Sequence, residues 1–183
     1  MAGDFAPENA VKWMFFSYSL PARPSKARVY VWRQLKKLGA FNYQSLWIFP
    51  FSKERMNELR KLMDEIEGFK GESLLIQGKP VNRKQEEQVH KAYADSRNEE
   101  YREYIKKCED FLGEIRMETE RENFTFAEVE ENEEEFQKLR LWLKKIERRD
   151  LLGLPLHKAA VERIKSCEKV FEDFARKVYE RQS

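Results

Sequence analysis

VKWMFFSY, residues 11–18, is aromatic and apolar at odd and even positions alike. A strand with one wet face would alternate, so this run fits a strand covered on both sides of its sheet. Leu20-Pro21-Ala22-Arg23-Pro24 then breaks the chain. Ser25 is placed to cap a helix over residues 26–38, with Gly39 as its stop. Ala27, Val31, Leu35 and Leu38 fall within about 80° of arc, so they form the buried stripe of that helix.

Working outward, residues 40–51, AFNYQSLWIFPF, are too short for a strand–helix–strand and read as two short strands or one kinked strand. Ser52 caps a second helix whose seam is Met56, Leu59, Met63 and Ile66, ended by Gly68 and Gly71. SLLIQ, residues 73–77, is a further strand. Strand, helix, strand pair, helix, strand on one sheet predicts a ferredoxin-like plait (βαββαβ) with two helices on one face.

From Val81 the period changes to that of long helices, over about 84–117, 127–148 and 156–180, with turns at Asn123 and Leu152-Gly153-Leu154-Pro155. The expected class is therefore α+β: a ferredoxin-like domain over 11–80, then an antiparallel three-helix unit of long helices over 81–183. Residues 1–10 read as a frayed leader without the basic and apolar regions of a secretory signal. No apolar run approaches the roughly 18–20 residues that span a bilayer, so no membrane partner and a cytoplasmic location are expected.

Charge is the strongest functional signal. Residues 9–53 hold no Asp or Glu but eight Lys and Arg. Through residue 85 there are 15 basic residues against 8 acidic, and beyond it 20 against 25. Such asymmetry suggests a polyanion-facing half, against the plainer reading of a solvated basic face. On the first helix Lys26, Arg33 and Lys37 share one face opposite the apolar stripe, with Tyr30 beside them, Lys36 at the flank and Arg23 in the preceding loop. That is a ridge able to track DNA phosphates. Arg28 falls at the margin of the apolar stripe, where a guanidinium needs a partner. A structural ion pair is expected there, with an oxyanion site as the sharper alternative.

Other candidates point to packing. Trp13, Trp32 and Trp47 lie on core elements, and Cys108 and Cys167 on apolar seams. Glu87 and His90 form one Glu-x-x-His unit, but His157 has Leu154 where a second unit would need Glu, so no metal is expected. The acidic run 128–135 suits a helix start. No catalytic triad, phosphate loop or dinucleotide fingerprint is visible, so neither catalysis nor a cofactor is expected.

Several of these residues resemble the N-terminal domain of ChrB, the bacterial regulator associated with chromate resistance. They are WMFFSYSLP at 13–21, PSKARVYVWRQLKKLGA at 24–40 and SLWIFP at 45–50. The likeness continues in EEY at 99–101, CE at 108–109, FTFAEVEENEE at 124–134 and WLKKIERRD at 142–150. The resemblance implies a cytoplasmic transcriptional regulator whose basic half contacts DNA through Arg23, Lys26, Arg28, Arg33, Lys36 and Lys37. In that family the chromate response is assigned to a C-terminal part, so with the sequence ending at Ser183 no chromate sensing is expected here. The first strand and basic helix are also similar to the small ferredoxin-like proteins of CRISPR adaptation and to a domain of the PaaX regulators. The nuclease members carry a metal-binding Asp at the end of the first strand, where this chain has Ser17-Tyr18-Ser19. A metal nuclease is thereby disfavoured, and a homodimer is expected by analogy. A protein-interaction module with a helical arm is the main alternative to DNA binding. An oxyanion pocket around Ser17, Ser19 and Arg28 is the third reading.

Overall fold

The structure is a computed structural model and describes residues 11–23 and 25–182. The expected leader over 1–10 and Pro24 lie outside the described residues. The element order is β1 (Trp13–Ser19), α1 (Ser25–Lys37), β2 (Phe41–Tyr43), β3 (Leu46–Pro50), α2 (Lys53–Gly68), β4 (Glu72–Gly78), α3 (Arg83–Glu120), α4 (Phe126–Arg149) and α5 (Leu156–Gln182). The class is mixed α+β, and residues 40–51 form two strands. The described residues fall into two compact units that divide between Ser96 and Arg97, within α3.

In the first unit four strands form one sheet in the order β2-β3-β1-β4, every neighbouring pair antiparallel. β1 is central and pairs along its whole length with β4, from Trp13↔Gly78 to Ser19↔Glu72. On its other side Met14 faces Phe49 and Phe16 faces Trp47. Strand alternation sends Met14, Phe16, Trp47 and Phe49 to one face, where they pack with Val31, Leu35, Leu59, Leu62 and Ile66 of α1 and α2. Trp13 points to the opposite face and meets Tyr93 of α3 edge-on at 5.9 Å, and Phe41 meets the same ring at 5.8 Å. At its start β1 is thus apolar on both faces because both are covered there, while Ser19 at its end is exposed.

Helix ends follow local chemistry. Ser52 accepts a hydrogen bond from the Arg55 amide and caps α2. Past α1, Gly39 turns left-handed (φ 85°) while the Gly39 and Ala40 amides return to the carbonyls of Lys36 and Leu35. α2 ends with the same bonding pattern, but the left-handed residue is Lys70 (φ 60°), and Gly68 is the last residue of the helix. Gly71 serves close approach instead. A Cβ there would strike the Ser19 carbonyl and come within 2.7 Å of Leu20 and 2.9 Å of Ile66. The α2 seam also turns slightly from the expected one: Leu59, Leu62 and Ile66 are buried, together with Arg55, while Met56 and Met63 pack at its edge.

In the second unit, contacts of α3 run in reverse order along α4 and in forward order along α5. Tyr104 meets Trp142 and Phe111 stacks on Phe136, while the Tyr101 ring meets that of His157 at 6.1 Å and Cys167 donates to the Cys108 carbonyl at 3.6 Å. Asp150 fixes the α4–α5 turn. Its carboxylate accepts from the amides of Leu152, Gly153 and Leu154 (3.2, 3.0 and 2.8 Å) and from the Tyr101 hydroxyl at 3.0 Å. Arg149 beside it donates twice to Glu100, at 2.9 and 2.6 Å.

Two stability changes follow. Gly71→Ala is expected to cost about 2 kcal/mol in urea unfolding, since the Ser19 backbone cannot retreat without disturbing the β1–β4 pairing. Asp150→Ala removes four hydrogen bonds to a charged acceptor and is expected to cost about 2–3 kcal/mol. A loss below about 0.5 kcal/mol in either variant would contradict the corresponding packing or capping role.

Candidate nucleic-acid interface

α1 buries Ala27, Val31 and Leu35, the stripe read from the sequence, and this decides which side chains reach solvent. Arg23, Lys26, Arg28, Arg33, Lys36 and Lys37 are all exposed. Lys26, Arg33 and Lys37 lie along one face at helical spacing, with Tyr30 next to them. That face is less uniformly basic in space than in sequence. Tyr30 donates to the Glu65 carboxylate of α2 at 2.9 Å, and its ring meets Phe69 edge-on. The hydrogen bond to Glu65 holds the Tyr30 hydroxyl above the ordinary phenol range. Lys37 lines a groove together with Glu58, Lys61 and Glu65. The α2 flank of the ridge therefore carries acids, and its other flank does not.

Arg28 departs from expectation. It is exposed rather than set into the apolar margin, and its Nη2 donates to the Ala22 carbonyl at 2.6 Å and the Pro21 carbonyl at 3.4 Å. The expected ion pair is replaced by two carbonyls, which tie the β1–α1 loop to the helix and leave Arg28 without a carboxylate partner among the described residues. Arg28 also lines an open cleft of about 410 Å³ with Tyr18, Leu20, Ala22, Ser45 and Trp47. Ser17 and Ser19 do not line it: they point to the other side of the sheet from Tyr18, so the expected Ser17–Ser19–Arg28 pocket is not assembled. Burial raises the Tyr18 hydroxyl above the usual phenol range, and the Arg28 charge opposes the shift.

The cleft is closed on one side by the β2–β3 hairpin. Its two loop residues, Gln44 (φ 48°) and Ser45 (φ 69°), are both left-handed. Such a two-residue turn matches the twist of the strands but favours Asn-Gly, because a Cβ is strained there. Lys36 reaches over the same wall, its Nζ 5.9 Å from the centre of the Trp47 ring.

A family model described as the N-terminal part of protein ChrB matches residues 28–183. The chain belongs to the ChrB N-terminal family. The match takes in four of the six basic candidates and the whole of the second unit; Arg23, Lys26 and the 13–21 segment lie before it. No curated protein and no solved structure matches the chain.

Two features of this ChrB-type surface escape the sequence reading. One is the Arg28–Trp47 cleft, whose parts come from β1, α1 and β3. The other is Trp32, expected in the core but 48% exposed, with Val29 45% exposed beside it. The signal was present: Trp32 lies about 100° from the centre of the buried stripe on the helical wheel. Elsewhere, Glu87 of the Glu-x-x-His unit pairs with Arg83 at 2.9 Å, and the His90 ring stands against Trp13. The described residues hold no group of three or more His, Cys, Asp or Glu placed for a metal, and no helix among them is long and apolar enough to cross a membrane.

Ser45→Gly tests the hairpin strain. Relief of the left-handed Cβ is expected to stabilise the chain by up to about 1 kcal/mol in urea unfolding. A loss of stability would mean that the Ser45 hydroxyl supports the turn more than its Cβ strains it.

Proposed function

We propose that this chain is a non-enzymatic, DNA-binding transcriptional regulator of the chromate-resistance type that grips the phosphate backbone through α1. Arg23, Lys26, Arg33, Lys36 and Lys37 contact phosphates, and Arg28 orients the helix by its bonds to the preceding loop while its charge stays open to an anion. The observation that carries this reading is the exposure of all six cations on and just before one helix that contributes no carboxylate of its own. Membership of the ChrB N-terminal family supports it.

We read the first unit as a ferredoxin-like plait, on the strength of its β2-β3-β1-β4 order with all neighbours antiparallel and two helices against one face. The second is read as an antiparallel three-helix unit. Lysines and arginines on one helix position a protein on DNA better than they select a sequence, so base reading needs further side chains.

A specific feature favours a second reading, a protein-interaction module. β4 is an edge strand, and its Leu74 and Ile76 are 57% and 51% exposed. An apolar edge of this kind suits pairing with a second copy of the chain.

The deciding experiment is fluorescence anisotropy with duplex from upstream of the protein's own gene, and with random duplex, over a salt series. Binding is expected with a log–log slope of several units. Lys26→Glu combined with Arg33→Glu is expected to weaken it by tenfold or more, roughly, at an unchanged melting temperature. No binding at low salt would remove α1 as the site and leave the β4 edge as the better reading.

A further inference from the structure

An indole left half in water on a short amphipathic helix is an expense that the core does not need. Trp32 stands in a row at helical spacing between Arg28 and Lys36, four residues to either side. The row spans about 12 Å along the helix axis. Arg28 and Lys36, at its two ends, both reach the Trp47 wall: Arg28 lines the cleft that Trp47 walls, and Lys36 lies over the Trp47 ring. Val29, also exposed, extends the apolar surface beside the indole.

Arg28, Arg33 and Lys36 form no ion pair with a carboxylate among the described residues. The acids that approach α1, Glu58 and Glu65, sit on the opposite flank against Tyr30 and Lys37. A neutral apolar partner would bury Trp32 at the cost of desolvating three cations. A polyanion with flat apolar faces matches both features at once, and a nucleic-acid strand has that chemistry, anionic phosphates alternating with π-faced bases. In an intact duplex those faces are covered by neighbouring bases. The exposed indole therefore fits a base that is unpaired, in a single strand or a locally opened duplex.

We propose that Trp32, between Arg28 and Lys36, is a stacking platform for an unpaired nucleobase whose flanking phosphates are held by the two cations. This deepens, and rests on, the reading of α1 as the nucleic-acid face.

The test compares three labelled ligands with the full chain: single-stranded oligothymidine, an abasic strand of the same length, and a duplex. The two strands present the same phosphates and differ only in bases. Wild-type protein is expected to bind oligothymidine about tenfold more tightly than the abasic strand. Trp32→Ala is expected to remove that preference while leaving affinity for the abasic strand and its salt slope unchanged. Trp32→Phe should retain most of the preference. Melting curves of both variants should match wild type, because the side chain is half-exposed already. Equal wild-type affinity for the two strands would overturn the stacking role and leave the phosphate ridge standing. A preference that survives Trp32→Ala would place the stacking elsewhere and overturn the assignment of Trp32. Binding to none of the three ligands would overturn the ridge and the platform together.

Discussion

Everything in the first unit hangs on a central strand that has no free side. β1 is hydrogen-bonded to β3 along one edge and β4 along the other, and its Trp13, Met14 and Phe16 side chains are fully buried, on opposite faces of the sheet. Burying Trp13, Met14 and Phe16 completely contributes several kcal/mol, roughly 1.5–3 for each side chain. The register follows, because a slip by one residue would exchange Trp13 and Met14 between two differently shaped layers. That register also sets the functional geometry. It delivers Tyr18 to the helix-facing side at the end of β1, and the loop that follows is held to α1 by Arg28.

The basic surface of α1 depends on what packs beside it. α1 and α2 lie side by side on the sheet, so the acids of α2 face one flank of the ridge. The Tyr30–Glu65 hydrogen bond and the groove around Lys37 belong to that flank. Toward β3 the neighbours are the Trp47 ring and a hairpin turn without charge. The positive potential of the helix is therefore displaced toward Arg28, Trp32 and Lys36, away from the face that the charge pattern alone singles out.

Much of this was legible from residue order. Local rules suffice for the Ala27–Val31–Leu35 stripe, the Ser52 cap, the Gly39 stop and the long helices, since each rests on neighbours within a turn or two. What failed was tertiary. Arg28 and Trp32 sit at the margin of the stripe, where the wheel gives an angle and the neighbouring elements decide between burial and water. Arg28 met two loop carbonyls that no pattern of carboxylates could announce. Gly68 and Gly71 looked interchangeable as helix stops, yet the left-handed position fell on Lys70, and Gly71 was needed because the Ser19 carbonyl comes so near. The cleft was invisible for the same reason: its walls are distant in sequence and adjacent only once β3 lies beside β1.

The second unit holds its two thiols in an unusual relation. Cys108 and Cys167 are both fully buried, on helices that come together at mid-length, and Cys167 donates to the Cys108 carbonyl. The adjoining Cys108 side chain, together with burial, raises Cys167 above the ordinary thiol range, so it stays protonated. An alkylating reagent can meet such sulfurs only after the helices part. The pace of labelling is then a clock for excursions of the folded chain, read without any engineered probe. Two natural residues, chemically silent at rest, thereby keep a record of how often that unit breathes.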